Sequence, residues 1–245
     1  MRRFGLIGYP LTHSFSKKYF TEKFEKEGLD DCRYELYPIG SINELPVLLE
    51  QHPDLEGLNI TIPYKKQVLS FLDHSAFIPE GLEACNCILI NEGRLIGYNT
   101  DVVGFRESLR PLLQPAQQSA LVLGNGGATA AVIFALQQLG ISYHIVSREL
   151  HKGSDFTYRD LDAGIILSHP IIINTTPVGL YPNVDQCPDI PYDSIDERHL
   201  LYDLVYNPAQ TLFLRKGAEQ GAAIKNGEEM LLLQAEESWK IWNSI

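Results

Sequence analysis

Apolar runs of strand length alternate with stretches of helical periodicity along the whole chain, the pattern of stacked α/β layers. In the first half, strand-like runs fall near residues 4–8, 33–38, 56–62 and 85–90, with helix-like stretches near 16–28, 42–51 and 64–72. Asn91-Glu92-Gly93 reads as a turn leading into another strand over 94–98. Past residue 101 the pattern restarts. Residues 119–123 form a short apolar strand, Gly124-Asn125-Gly126-Gly127 breaks it, and 128–139 is a helix that stops at Gly140. Further strands are predicted at 142–147, 171–175 and 200–205. Residues 228–242 return to helical periodicity, with Met230, Leu233 and Trp239 sharing part of a face. The expectation is two α/β domains: residues 1–100 completed by the C-terminal helix within 227–245, and residues 101–226. The tail would pack back on the first domain and leave a cleft between the two.

Composition narrows the class without choosing a function. A length of 245 residues suffices for two modest cores. No apolar run is long enough to cross a bilayer, and the two arginines and short apolar run at the N-terminus are too brief for a signal-peptide core. A net charge of −11 argues against a nucleic-acid groove and repels anions at long range, so an anionic ligand must be held by a few local basic residues. The cysteines, Cys32, Cys85, Cys87 and Cys187, show no metal-ligand spacing, so reduced thiols in a cytoplasmic protein without a metal site are expected.

Residues 119–147 have the size and order of a dinucleotide-binding strand–turn–helix–strand unit. Gly124, Asn125, Gly126, Gly127 and Ala128 would let the backbone approach a pyrophosphate at a helix start. Thr129 occupies the third glycine position of the usual pattern, and a plain tight turn is the alternative reading. At the end of the next strand, where NAD-binding units place an acid, stand Ser147 and Arg148, with Lys152 beyond. Cations there suit the 2′-phosphate of NADP, with Glu149 opposing them; a solvated charge cluster is the alternative.

Three strand-to-helix junctions in the first half carry candidate chemistry. Ser14 and Ser16 lie in a polar loop and could grip a carboxylate, although Ser16 could simply cap the following helix. Lys65 and Lys66 follow Pro63 in what reads as a first helical turn, where a cation opposes the helix dipole and needs a reason to be there. Asp101 begins another helix, as an N-cap or as a charge facing the expected cleft.

Together these segments resemble the shikimate dehydrogenase family over nearly the whole chain. Gly8-Tyr9-Pro10 through His13-Ser14-Phe15-Ser16 is similar to its substrate loop, with Lys17 where proline is usual. Asn59-Ile60-Thr61-Ile62-Pro63-Tyr64-Lys65 resembles the segment holding its catalytic lysine, and Asn99-Thr100-Asp101-Val102-Val103-Gly104-Phe105 the one holding its catalytic aspartate. The resemblance therefore implies a catalytic pair of Lys65 and Asp101. It implies substrate contacts at Ser14, Ser16, Thr61, Asn86, Tyr206 and Gln234. Cofactor contacts fall on the Gly124–Ala128 loop, on Ser147, Arg148 and Lys152, and on Leu204 and Gly227. Serine, glutamate and lysine at 147, 149 and 152 depart from the family's usual residues, as do Glu228 and Glu229 after Gly227.

The implied protein is a two-domain α/β enzyme with a Rossmann-like dinucleotide domain. It would reduce 3-dehydroshikimate to shikimate reversibly with NADP, as a cytoplasmic monomer or homodimer with no nucleic-acid or membrane partner. A quinate- or aminoshikimate-preferring dehydrogenase using NAD is the nearest alternative. A non-catalytic dinucleotide sensor is a third, disfavoured by the joint presence of Lys65 and Asp101.

Overall fold

Residues Met1–Thr100 with Ala235–Ile245 group as one unit and Asp101–Gln234 as another. The computed structural model describes residues 1–11, 14–150 and 153–244. In chain order the elements are β1 (Arg2–Ile7), α1 (Phe15–Glu27), β2 (Cys32–Tyr37), α2 (Leu45–Gln51), β3 (Leu55–Ile60), β4 (His74–Phe77), β5 (Cys87–Asn91) and β6 (Arg94–Tyr98). There follow α3 (Thr100–Leu109), β7 (Ser119–Leu123), α4 (Thr129–Gln138), β8 (Ser142–Ser147), β9 (Phe156–Thr157), α5 (Ala163–Ser168) and β10 (Ile171–Asn174). The last are β11 (Leu200–Asp203), α6 (Leu212–Glu219), β12 (Ala223–Lys225) and α7 (Glu228–Trp242).

The first unit is a mixed sheet in the order β2-β1-β3-β5-β6-β4. β1 runs parallel to both β2 and β3, while β5 is antiparallel to β3 and β6. One face is covered by α1 and the end of α7 through a cluster of aromatic rings. Phe4 of β1 stacks on Trp242 with centroids 4.9 Å apart, Phe20 of α1 stacks on Tyr34 of β2 at 4.7 Å, and Phe24 meets Trp239 at 5.3 Å. The Trp242 indole lies against the backbone of β3, where a Cβ on Gly57 would fall 2.2 Å from its nitrogen, and that nitrogen donates to the Ile88 carbonyl at 3.0 Å. Glycine at 57 is thus what admits the ring.

The second sheet is wholly parallel, in the order β12-β11-β10-β7-β8-β9. Counted from β7, this is the doubly wound order 3-2-1-4-5-6 of a dinucleotide-binding fold. Its central strands are fully buried, with Leu121–Leu123 and Ile171–Ile173 at 0% exposure, as a sheet covered on both faces requires.

The long periodic elements stand where the apolar pattern put them. The helix expected near 64–72 does not form. Residues 64–66 are a turn followed by a 3₁₀ helix, Gln67–Phe71. The Lys65 carbonyl, which an α-helix would use internally, accepts from the Cys85 amide at 2.8 Å, and the Tyr64 hydroxyl, donating to the Ile39 carbonyl at 2.6 Å, anchors the turn. The dipole argument for Lys65 and Lys66 falls with it. β4, β9, α5, α6 and β12 have no counterpart in the apolar pattern; β4 is an exposed edge strand throughout and the others are short.

Trp242→Ala should lower the unfolding free energy by about 3–5 kcal/mol in urea titration, the cost of emptying a large buried aromatic site. A loss below about 1 kcal/mol would show that the α7 anchor is dispensable.

Candidate functional site

β7, β8, β10 and β11 all end at the same edge of the second sheet, and there the loops enclose a cleft of about 950 Å³. Gly124, Asn125, Gly126, Ser147, Arg148 and Thr176 are among its walls. The glycines of the loop have different reasons. Gly124 has φ +108°, and a Cβ there would lie 2.6 Å from Thr176 Cγ2, so the fold itself demands it. Gly126 and Gly127 would meet nothing within 4 Å. Their missing side chains leave open space at the start of α4, as a bound pyrophosphate needs.

Thr129, the departure from the glycine pattern, closes this loop from below. It is 1% exposed, and its hydroxyl oxygen accepts from the Gly126 amide at 3.0 Å and lies 2.9 Å from the Thr175 hydroxyl. A hydroxyl thus fixes the loop where a third glycine would only allow close packing.

Buried Asp203, at the end of β11, ties the neighbouring loops together. It accepts from the Asn174 amide at 2.9 Å, the Val205 N–H at 3.0 Å and the Thr211 hydroxyl at 2.6 Å. Asn174 in turn accepts from the Thr176 amide and hydroxyl, which sets the wall of the cleft. Burial pushes the Asp203 carboxyl up to about 6, against the pull of its hydrogen bonds. Beside it the Leu204 carbonyl lies where a Cβ on Gly227 would sit, 2.1 Å away, so these two predicted cofactor residues touch.

Arg148 and Glu149 are exposed at the cleft, and the Ser147 hydroxyl donates to the Glu149 carbonyl at 2.5 Å to hold their turn. Lys152 lies outside the described residues. Glu228 and Glu229 stand in the first turn of α7, where acids favour the helix dipole, and Glu229 pairs with Lys225. Their presence is a helix-start requirement. Tyr206 is partly exposed just after β11. Gln234 is buried on α7, and Gly104 of α3 lies so close that a Cβ would be 2.6 Å from the Met230 carbonyl.

In the first unit, register brings the other candidates to one edge. Parallel β1 and β3 end together, and antiparallel pairing sets the start of β5 and the end of β6 beside them. The Ser14 loop, Thr61, Lys65, Asn86 and the junction leading through Thr100 to Asp101 therefore leave from the same side. Gly8 lies against Thr61, where a Cβ would be 2.4 Å from the threonine methyl.

Two local readings are corrected. Ser14, not Ser16, caps α1, its oxygen accepting from the Lys17 amide at 3.2 Å. Asp101 is not an N-cap, because α3 already begins at Thr100. The Tyr34 hydroxyl is buried, and burial drives its pKa well above the phenolic range. Tyr34 donates to Asn59 Oδ1 at 2.8 Å, Asn59 donates to Ser238 at 3.0 Å, and Ser238 meets the Thr100 hydroxyl at 3.3 Å. Asn86 completes the chain, accepting from the Thr100 amide at 2.6 Å.

Sequence reasoning assigned no role to Asn59, Ser238, Asn174 or Asp203. For Asn174 and Asp203 a signal existed: each is a polar residue ending an otherwise apolar strand, Ile171-Ile172-Ile173-Asn174 and Leu200-Leu201-Tyr202-Asp203.

Comparison with known proteins follows this geometry. Residues 6–88 match the family described as the shikimate dehydrogenase substrate binding domain. A shikimate dehydrogenase (NADP⁺) of Carboxydothermus hydrogenoformans is 33% identical over 98% of this chain and 91% of its own length. The shikimate 5-dehydrogenase of Thermus thermophilus, solved with NADP(H) and shikimate, superposes with a TM-score of 0.86 at 31% identity, covering 100% of this chain and 94% of its own. The shikimate 5-dehydrogenase of Listeria monocytogenes, solved with shikimate and NAD, gives 0.89 at 25% identity, covering 100% and 92%.

Two outcomes test the cleft. Gly126→Ala should leave the melting temperature within about 2 °C while weakening dinucleotide binding at least roughly tenfold by calorimetry, whereas Gly124→Ala should cost about 1–3 kcal/mol of stability. Unchanged binding in Gly126→Ala would separate this loop from the cofactor. For Asp203, a raised folded pKa stabilises below the unfolded value near 4 and loses that contribution as pH climbs through about 6. The stability of the parent minus that of Asp203→Asn should thus fall by roughly 2–3 kcal/mol between about pH 4 and 6.5; a flat or rising difference contradicts the assignment.

Proposed function

The chain belongs to the shikimate dehydrogenase family, and from that premise we propose that it catalyses the reversible NADP-dependent reduction of 3-dehydroshikimate to shikimate, a step toward chorismate and the aromatic amino acids. The observation that carries the reading is identity extending over 98% of the chain, with Lys65 and Asp101 both in place.

Residues 101–226 bind the dinucleotide, and 1–100 with 227–245 serve the substrate. The open space at Gly126 and Gly127 and the cleft that Gly124, Asn125 and Gly126 border fit NADP. Gly124, Asn125, Gly126, Gly127 and Ala128 hold its pyrophosphate; Ser147, Arg148 and Lys152 take the 2′-phosphate; Leu204 and Gly227 border the nicotinamide end. When bound, NADPH supplies the hydride that the ketone carbon accepts.

The protein supplies the rest. Lys65 gives its proton to the ketone oxygen and stabilises the developing alkoxide, and takes the proton back in the oxidative direction. Asp101 orients the ammonium and a substrate hydroxyl. Ser14 and Ser16 grip the carboxylate, and Thr61, Asn86, Tyr206 and Gln234 hold the ring hydroxyls. The capping of α1 by Ser14 is compatible with this, since a hydroxyl oxygen that accepts from an amide still carries a hydrogen to donate. The enzyme works on small diffusible ligands, as a monomer or homodimer, in the cytoplasm. Among the described residues, no helix is long and apolar enough to cross a membrane.

Glu149 on the cleft wall favours one second reading, a quinate- and shikimate-oxidising dehydrogenase using NAD. Steady-state turnover with shikimate and quinate against NADP and NAD separates the two.

Lys65→Ala should lower kcat by about 10²–10⁴-fold, the usual contribution of a positioned acid–base group. Lys66→Ala should change it less than about twofold, because Lys66 is exposed and paired with Glu83. Near-normal turnover in Lys65→Ala, or the larger loss in Lys66→Ala, would sink the mechanism.

A further inference from the structure

Arg148 stands beside Glu149 on the cleft wall, so this pair brings no net positive charge to the 2′-phosphate, and Lys152 alone of the assigned residues adds one. A chain of net charge −11 gives no help from its wider field. A dianion at this place therefore calls for a cation besides Lys152, the other basic residue assigned to it.

The topology provides one. β9 pairs in parallel with β8, Val146 opposite Phe156 and Ser147 opposite Thr157. The residues after each strand therefore leave the sheet side by side, Arg148 from β8 and Tyr158-Arg159 from β9. Arg148 is near enough to the Tyr158 hydroxyl to oppose the burial that raises its pKa. Arg159 is exposed and lines the same cleft as Arg148.

The turn carrying Arg159 is built to hold it. Thr157 and Asp160 form a reciprocal capping box, with the Thr157 amide and hydroxyl both donating to Asp160 Oδ2 at 2.7 Å. Asp160 is thereby committed to the turn, and its carboxyl is pulled below the usual range by those bonds. Asp189, in the long connection between β10 and β11, is a further acid on the wall of the same cleft.

We propose that Arg159 is the second guanidinium of the 2′-phosphate site and a determinant of the preference for NADP over NAD. The inference rests on the NADP-linked reading above. It adds a charge to those of the one loop that holds Arg148 and Lys152, and the residue comes from the neighbouring strand. Arg148 and Arg159, from adjacent strand ends, bracket the phosphate, and Glu149 is outweighed.

Calorimetric titration of the parent, Arg148→Ala, Arg159→Ala and Arg159→Lys with NADP, NAD and adenosine 2′,5′-bisphosphate tests this. Arg33→Ala, an exposed arginine of the other unit, controls for net charge. Arg159→Ala should weaken binding of NADP and of the bisphosphate about tenfold or more and reduce the NADP/NAD affinity ratio by the same factor. Arg159→Lys should recover part of the loss, and Arg33→Ala should match the parent. If Arg148→Ala loses bisphosphate binding while Arg159→Ala keeps it, the role of Arg159 is overturned and the NADP reading stands. If the parent shows no preference for NADP and neither arginine matters, both fall.

Discussion

A buried line of hydroxyl and amide groups, Tyr34, Asn59, Ser238, Thr100 and Asn86, holds the first unit to one arrangement. Each left unpaired in the interior would cost about 1–3 kcal/mol, so the elements that carry them cannot slide independently. β2, β3, α7, the start of α3 and the approach to β5 are thereby indexed to one another by directional bonds. The aromatic cluster beside it supplies most of the driving force, but apolar packing alone tolerates alternatives that hydrogen bonds reject. The Ser14 loop, Thr61, Lys65 and Asn86 leave from the same edge, and their precision is borrowed from this line.

The second unit solves the same problem differently. Its strands are apolar to their last residue and then switch to Asn174 and Asp203. A carboxylate kept from water gathers donors from two loops, and Thr129 does the same for the glycine turn. The cleft is a gap whose rims are pinned from behind, so its walls need few contacts of their own and stay open for a ligand.

Much of this was legible in the sequence. The βαβ unit over 119–147, the long strands and α7 follow from hydrophobic period, since burial on a defined face is what that period records. The segment at 64–72 misled because the Lys65 carbonyl is taken by Cys85 and the Tyr64 side chain is anchored to Ile39, partners far away in sequence. Ser14 rather than Ser16 takes the cap because capping depends on where the helix begins to within a residue or two, which composition does not specify. Asn59 and Ser238 were invisible for the same reason as Arg159: their meaning arises only when strands or helices distant in the chain become neighbours. Glu228 and Glu229, odd against the family pattern, are ordinary once α7 is seen to begin there.

The Trp242 ring over Gly57 also bears on how the protein is made. Domains generally fold as they emerge from the ribosome, the N-terminal one first, at about 5–20 residues per second. Here the first unit lacks its anchor until residues 235–242 are synthesised, after all of the second. For roughly ten seconds or more, the strands of the first sheet are present with the floor of their aromatic cluster open. The nascent order of maturation is thus inverted: the inserted unit can close while its host waits. A chaperone that shields apolar strands would be needed at the front of this chain, not at its end.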